Sequence, residues 1–215
     1  DRFEQFPILT KLIDAKQNLS VQVHPSNEYA LKNEHQYGKT EMWYVLDCEP
    51  DAFLYYGFDH EISKAEFAER IQNHTLTEVL NTVPVHKGDS FFIPSGTLHA
   101  IGKGIVVAEV QQSSNTTYRL YDWGRVGANG KPRPLHVDAS LKSIDFNLPP
   151  PASRADVACP FFRFRAVEAA GTVEVAANAE TFTALFFVRE RRSVLVPANC
   201  AATIPYNGKV LVTTL

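Results

Sequence analysis

Gln22 and His24 stand two apart in Leu19-Ser20-Val21-Gln22-Val23-His24, a run in which apolar and polar residues alternate. Residues two apart on a strand project from the same face, so this amide and imidazole can converge on one point, and a metal ion is the natural guest. Alone the pair says little, because a histidine on a strand is more often a surface or hydrogen-bonded residue. Glu41 heads a second alternating run, Glu41-Met42-Trp43-Tyr44-Val45-Leu46. A carboxylate facing a core there needs a cation, whereas a solvated strand end paired with Lys39 is the plainer account. The sharper signal is Gly88-Asp89-Ser90-Phe91-Phe92-Ile93-Pro94-Ser95-Gly96-Thr97-Leu98-His99. Gly88 and Gly96 permit tight turns on either side of a buried strand, Pro94 ends that strand, and His99 begins the next one pointing back.

This spacing resembles the second cupin motif, and Gln22, His24 and Glu41 match the first in modified form. The gap before Glu41 is long, position 22 is not His, and position 103 is Lys where the second motif ends in Asn. Those departures point to a subfamily. Leu19-Ser20-Val21-Gln22-Val23-His24-Pro25, Gly38-Lys39-Thr40-Glu41-Met42-Trp43-Tyr44 and Ile93-Pro94-Ser95-Gly96-Thr97-Leu98-His99-Ala100 occur in order, followed by Thr117-Tyr118-Arg119-Leu120-Tyr121-Asp122 and Leu135-His136-Val137-Asp138. The sequence resembles the type I mannose-6-phosphate isomerases in their short bacterial form, densely over residues 3–146 and loosely beyond. Asp1 lines up within the family's chain, so the sequence is expected to be part of a longer one.

The resemblance implies one Zn2+ per chain held by Gln22, His24, Glu41 and His99, a donor set of two imidazoles, a carboxylate and an amide oxygen that suits zinc. It also implies aldose-ketose isomerisation of mannose 6-phosphate and fructose 6-phosphate through a cis-enediol. Arg119 matches the family's catalytic arginine, although as a residue on its own it reads more readily as a strand arginine paired with Asp122 or a nearby Glu. Lys39 and Glu109 match acid-base groups near the metal, and Lys11 and Ser20 match residues used for the sugar phosphate. A cation and a hydroxyl complement a dianion, while Lys11 on its own reads as a solvated surface lysine. Two rival functions differ in class. A metal-dependent cupin dioxygenase would carry three or four His ligands; a sugar-binding or regulatory cupin without turnover would have little use for Arg119 and Lys39.

The elements that must position these residues are strands. Fourteen Phe and eight Tyr with abundant Val and Thr, punctuated by Gly and Pro, favour a mainly β fold, which the resemblance refines to a cupin-type jelly-roll barrel. Ser63 with Glu66, and Thr75 with Glu78, form two capping-box patterns, so a short helical insertion is expected over residues 59–83. Leu148-Pro149-Pro150-Pro151-Ala152 reads as a linker, which divides the chain into a metal-binding catalytic domain (1–148) and a smaller cupin-like β domain without metal ligands (149–215). In the latter, short strands are expected at 161–165, 171–175, 183–188, 193–196 and 210–213. Arg189-Glu190-Arg191-Arg192 is expected to be a solvated hairpin turn. His35, His60, His74, His86 and His136 have no ligand-spaced partner and receive no role. Cys48, Cys159 and Cys200 lie in apolar contexts and are expected in the core.

Twenty-one basic and 24 acidic residues give a net charge of -3, which offers no electrostatic footprint for nucleic acid or an anionic membrane. The apolar runs at 182–188 and 194–198 fall far short of the roughly 18–20 residues of a bilayer span. The expected partner is a small phosphorylated hexose. Three cysteines at unrelated spacings suit a reduced, cytoplasmic protein, and the opening Asp1-Arg2-Phe3-Glu4 lacks the basic and apolar pattern of a secretory leader. Oligomeric state is not legible in the sequence.

Overall fold

Both alternating runs form strands, and nearly every other strand of the first half serves to hold them. A computed structural model describes residues 5–127, 129–148 and 153–215. These fall into two units, Asp1–Ser153 and Arg154–Leu215; the expected linker residues 149–152 lie outside the described residues. In chain order the first unit contains β1 (Ile8–Ala15), β2 (Val21–Val23), α1 (Asn27–Asn33), β3 (Glu41–Cys48), β4 (Phe53–Phe58), α2 (Lys64–Gln72), a 3-10 turn (Leu76–Val79), β5 (Leu80–Pro84), β6 (Ser90–Ile93), β7 (His99–Ile101), β8 (Ile105–Gln112), β9 (Tyr118–Tyr121) and α3 (Val137–Ser143).

These strands make two antiparallel sheets, ordered β1-β8-β3-β6 and β5-β4-β7-β2-β9. Trp43, Val45, Phe91, Ile93, Ile105 and Val107 from the first sheet pack against Leu54, Tyr56 and Ile101 from the second, filling the space between the sheets. Each such side chain contributes about 1.5–3 kcal/mol by leaving water. The opposite face of the second sheet is also buried. Val21, Val23, Tyr55, Ala100, Tyr118 and Leu120 pack there with Ile62, Phe67, Leu76, Val79 and Ile144 from the α2 segment and the end of α3. Helices thus fix the β2–β7–β9 ladder that carries Gln22, His99 and Arg119.

The helical insertion is shorter than its sequence suggests. Ser63 caps α2, its Oγ accepting the Glu66 N–H at 3.1 Å, but Thr75 makes no side-chain cap and only a 3-10 turn follows it. Leu80–Pro84 then runs as a strand beside β4, because its apolar side chains have a sheet edge to join.

The second unit is a five-stranded sheet of β10 (Asp156–Ala158), β11 (Arg163–Ala176), β12 (Thr183–Phe187), β13 (Arg192–Val196) and β14 (Ala201–Thr214), ordered β10-β11-β14-β12-β13. Val173, Leu185, Phe187, Val196, Tyr206, Val210 and Val212 form its own core. The segments 161–165 and 171–175 are one strand, β11, in continuous register with β14. Arg189–Glu190–Arg191 turn between β12 and β13 as expected, with Arg191 at φ +51°. Cys200 departs from expectation: it is exposed at the turn entering β14, and Cys48 and Cys159 are only half-buried.

Candidate active site

Two backbone hydrogen bonds bring the candidate ligands together. The His24 carbonyl accepts the Gly96 N–H at 2.8 Å, which draws the turn before His99 against the end of β2. The next carbonyl, that of Pro25, accepts the Lys39 N–H at 3.0 Å and draws the approach to β3 alongside. Gly38 is required there, because a Cβ would lie 2.4 Å from the Ser26 carbonyl carbon. Cross-strand register completes the arrangement. Gln22 stands opposite His99 and Arg119, Glu41 opposite Gln111, and Trp43 opposite Glu109, which in turn faces Lys11. Partners across a ladder share a face, so both rows are directed into the space between the sheets.

Each histidine is held through its Nδ1. His24 Nδ1 donates to the Thr116 carbonyl at 3.0 Å and His99 Nδ1 to the Thr97 carbonyl at 2.9 Å, which leaves both Nε2 lone pairs facing inward. His24 Nε2 lies 3.6 Å from Glu41 Oε2, and His99 Nε2 lies 3.4 Å from Glu41 Oε1. Ligand atoms on a tetrahedral ion with bonds of about 2.0–2.1 Å stand roughly 3.3 Å apart, so this trio has the span of a metal site. Glu41 Oε1 is buried with no hydrogen-bond partner among the described residues, a costly condition that a cation would relieve. The Gln22 amide nitrogen is 3.4 Å from His99 Nε2, on the same side. The residues present therefore fit a divalent metal.

Charge alternates away from this trio. The Lys39 ammonium contacts Glu41 Oε2 directly, sits 2.9 Å from His24 Nε2 and 3.9 Å from Glu109 Oε1. Lys11 Nζ donates to Glu109 Oε1 at 3.0 Å and to Gln111 Oε1 at 2.5 Å. Lys39 lies ahead of β3, so its place beside Glu41 comes from the Pro25 hydrogen bond rather than from strand alternation. Burial lowers both imidazoles, with the Lys39 charge assisting: His24 falls well below 6.5 and His99 to about 3. Both are neutral at pH 7, the state a metal ligand requires. Complete burial lifts Glu41 to about 7, with Lys39 opposing and Glu109 reinforcing the rise. Glu109 is also pushed up by burial, but Lys39 and Lys11 outweigh it and hold the group below the usual carboxylate range.

Arg119 is not spent on the ion pair that its sequence context suggests. Asp122 accepts from Arg125 and Arg133 instead, both at 2.5 Å, while Arg119 Nη1 donates to the Pro134 carbonyl at 3.3 Å. Its Nε is buried without a hydrogen-bond partner among the described residues. Burial and the neighbouring Arg133 disfavour its charge, an arrangement that suits an incoming anion. Ser20 is buried, with its Oγ 3.5 Å from Gln22 Oε1.

Residues 1–50 match the family model of the phosphomannose isomerase type I catalytic domain. The mannose-6-phosphate isomerase ManA of Bacillus subtilis is 50% identical over 143 residues, 66% of this chain and 45% of that protein. A mannose-6-phosphate isomerase of Streptococcus mutans is 47% identical over 150 residues, 70% of this chain and 47% of that one. The crystal structure of the mannose 6-phosphate isomerase from Bacillus subtilis superposes with a TM-score of 0.85 and 30% identity, over 100% of this chain and 77% of that chain. The chain belongs to the type I phosphomannose isomerases. It spans about half the length of the two sequence relatives.

Within this phosphomannose isomerase family member, the structure gathers Gln22, His24, Glu41, His99, Lys39, Glu109 and Lys11 around one point and sets Arg119 opposite Gln22. Three neighbours carry no role in the sequence reading. Trp43 and Gln111 are each two residues from a residue singled out there, Glu41 and Glu109, so period-two alternation finds both. His136, given no role, holds Arg119 by two backbone links: its N–H donates to the Arg119 carbonyl at 2.8 Å and its Nδ1 accepts the Arg119 N–H at 3.2 Å. That contact joins the start of α3 to β9, and no local pattern announces it.

Proposed function

We propose that this protein interconverts mannose 6-phosphate and fructose 6-phosphate, with zinc as its metal. The observation that carries the reading is the buried His24–Glu41–His99 trio set beside two lysines and a second carboxylate, in a chain of this family. Gln22, His24, Glu41 and His99 would hold the ion, with the Gln22 carboxamide turned to offer its oxygen. A bound divalent cation supplies Lewis-acid polarisation of the neighbouring sugar oxygens.

The chain's own groups account for the rest. Isomerisation moves one proton between C2 and C1 and passes through a cis-enediol, so an acid-base group must face that edge of the open-chain sugar. Lys39 Nζ and Glu109 Oε1 face each other across 3.9 Å inside the barrel and share the proton traffic. Arg119 brings a planar fork to the oxygen that gains negative charge. Lys11, with over a third of its side chain exposed, and Ser20 bind the phosphate. Residues 1–148 form the catalytic domain and 149–215 a cupin-like domain without ligands, a division supported by the absence of histidine from the latter. A reduced, cytoplasmic setting agrees with three free cysteines, and no helix among the described residues is long and apolar enough to cross a membrane.

The test is a coupled assay for fructose 6-phosphate formation with and without a chelator, followed by zinc add-back. Turnover that is lost to chelator and restored by zinc supports the reading. Turnover indifferent to complete metal removal, or none on mannose 6-phosphate with the metal loaded, overturns it.

A further inference from the structure

Trp43 has no exposed surface and brings a polar atom into the core. Its indole N–H donates to Glu109 Oε2 at 3.1 Å, and its ring meets His99 edge-on with centroids 5.3 Å apart. A buried indole must find an acceptor, and an aliphatic or phenyl side chain would fill this core without that demand. Glu109 Oε1 faces Lys11 and Lys39 at 3.0 and 3.9 Å, so the two oxygens have separate assignments. The indole holds Oε2 on the β3 side, while Oε1 is presented to the lysines.

We infer that Trp43 is a positioning residue, one that fixes the Glu109 carboxylate plane so that Oε1 alone faces the reacting sugar; the inference rests on the isomerase reading above. The cross-strand register places Trp43 directly opposite Glu109, and a hydrogen bond to a charged acceptor is stronger than a neutral one. Without it the carboxylate can rotate about its terminal torsion, and both oxygens can turn toward Lys11 and Lys39. Displacement of a reacting group by about 1 Å can cost on the order of 10²-fold in rate.

The test uses metal-loaded protein and the variant Trp43→Phe, which keeps a ring against His99 and removes the donor. Expected are a kcat on mannose 6-phosphate lower by about tenfold or more, KM within about twofold, and unchanged metal content. The double variant Trp43→Phe/Glu109→Ala should be no slower than Glu109→Ala alone, because the indole acts only through that carboxylate. A structural role in the core would instead slow both backgrounds by the same factor. The chain has two tryptophans, so the Trp43 indole N–H resonance can be followed directly, and it should move upfield in Glu109→Ala while that of Trp123 stays. Wild-type turnover with Trp43→Phe equally fast, additive losses in the double variant, or an indole resonance that ignores Glu109 would each overturn the inference while sparing the isomerase reading. Wild-type protein that is inactive on mannose 6-phosphate overturns the isomerase reading, and the inference falls with it.

Discussion

Replacing Glu41 by glutamine removes one charge and almost no volume, and its effects follow from the contacts of each oxygen. Among the described residues Oε1 has no hydrogen-bond partner, so the neutral amide is no worse than the carboxylate there until a metal is present. Oε2 contacts the Lys39 ammonium, whose side chain is 5% exposed, and Glu109 remains 3.9 Å from the same ammonium when Glu41 is replaced. Burial outweighs Lys39 and holds Glu41 near 7 in the fold, so above pH 7 the ionised carboxylate costs the metal-free fold up to about 3 kcal/mol that a neutral amide does not. In a unit of this size that corresponds to a rise in Tm of up to roughly 6–12 °C. The assay is a pair of thermal melts in chelator at a pH above 7, wild type against Glu41→Gln, with metal content measured beforehand by mass spectrometry. The variant should melt higher in chelator and yet hold well under one metal ion per chain. A variant with a full metal complement would remove Glu41 from the ligand set. A variant that melts lower in chelator would show that Lys39 depends on this carboxylate more than burial penalises it.

Three further outcomes are expected. His99→Ala should lose metal and turnover together, whereas His136→Ala should keep its metal and lose turnover only through loosening of Arg119, which metal analysis beside the coupled assay will separate. Arg119→Ala should lower kcat and kcat/KM by similar factors of about 10² or more with KM nearly constant, with poor rescue by Arg119→Lys; a raised KM at intact kcat would make Arg119 a phosphate anchor instead. In the metal-free protein, stability should fall as pH drops below about 6.5, because the unfolded chain then protonates both site histidines while the folded one keeps His99 neutral to about 3 and His24 neutral well below 6.5. Glu41, held near 7 when folded, acts in the opposite sense down to about 4.5. His99 and Glu41 nearly cancel between about 6.5 and 4.5, so the fall there comes from His24 and is at most one proton, about 1.4 kcal/mol per pH unit; a denaturation series in chelator that stays flat over that range would contradict the burial of these imidazoles.

The site strands were legible wherever a local rule governed them. β3 and the Gly88-to-His99 turn follow from alternation and from where glycine and proline are tolerated. Helices α1 and α3 escaped because each has seven residues and buries one small side chain, Ala30 or Ser140, so neither shows an apolar period. The two segments of β11 read as separate strands because Gly171 interrupts the pattern, yet a φ of +97° there leaves the ladder with β14 unbroken. The candidate ligand set rested on family motifs, since spacing alone left Gln22 and Glu41 open to plainer readings. Lys39 and His136 owe their places to contacts with Pro25 and Arg119 that are distant in sequence, and no window of neighbouring residues reports such contacts.

The pairing of β1 with β8, β2 with β7 and β9, and β3 with β6 and β8 also fixes when a working centre can exist during synthesis. Gln22, His24 and Glu41 leave the ribosome well before His99, and β2 has no neighbour until β7 and β9 follow. At about 5–20 residues per second, the interval between β3 and β9 is on the order of ten seconds. Until β6 and β8 follow within that interval, Met42, Trp43, Tyr44 and Val45 form an unpaired apolar strand, the kind of edge that invites aggregation and chaperone capture. Metal loading would thus follow closure of the barrel, and a ribosome stalled before His99 would display three of the four candidate ligands without a site to join them.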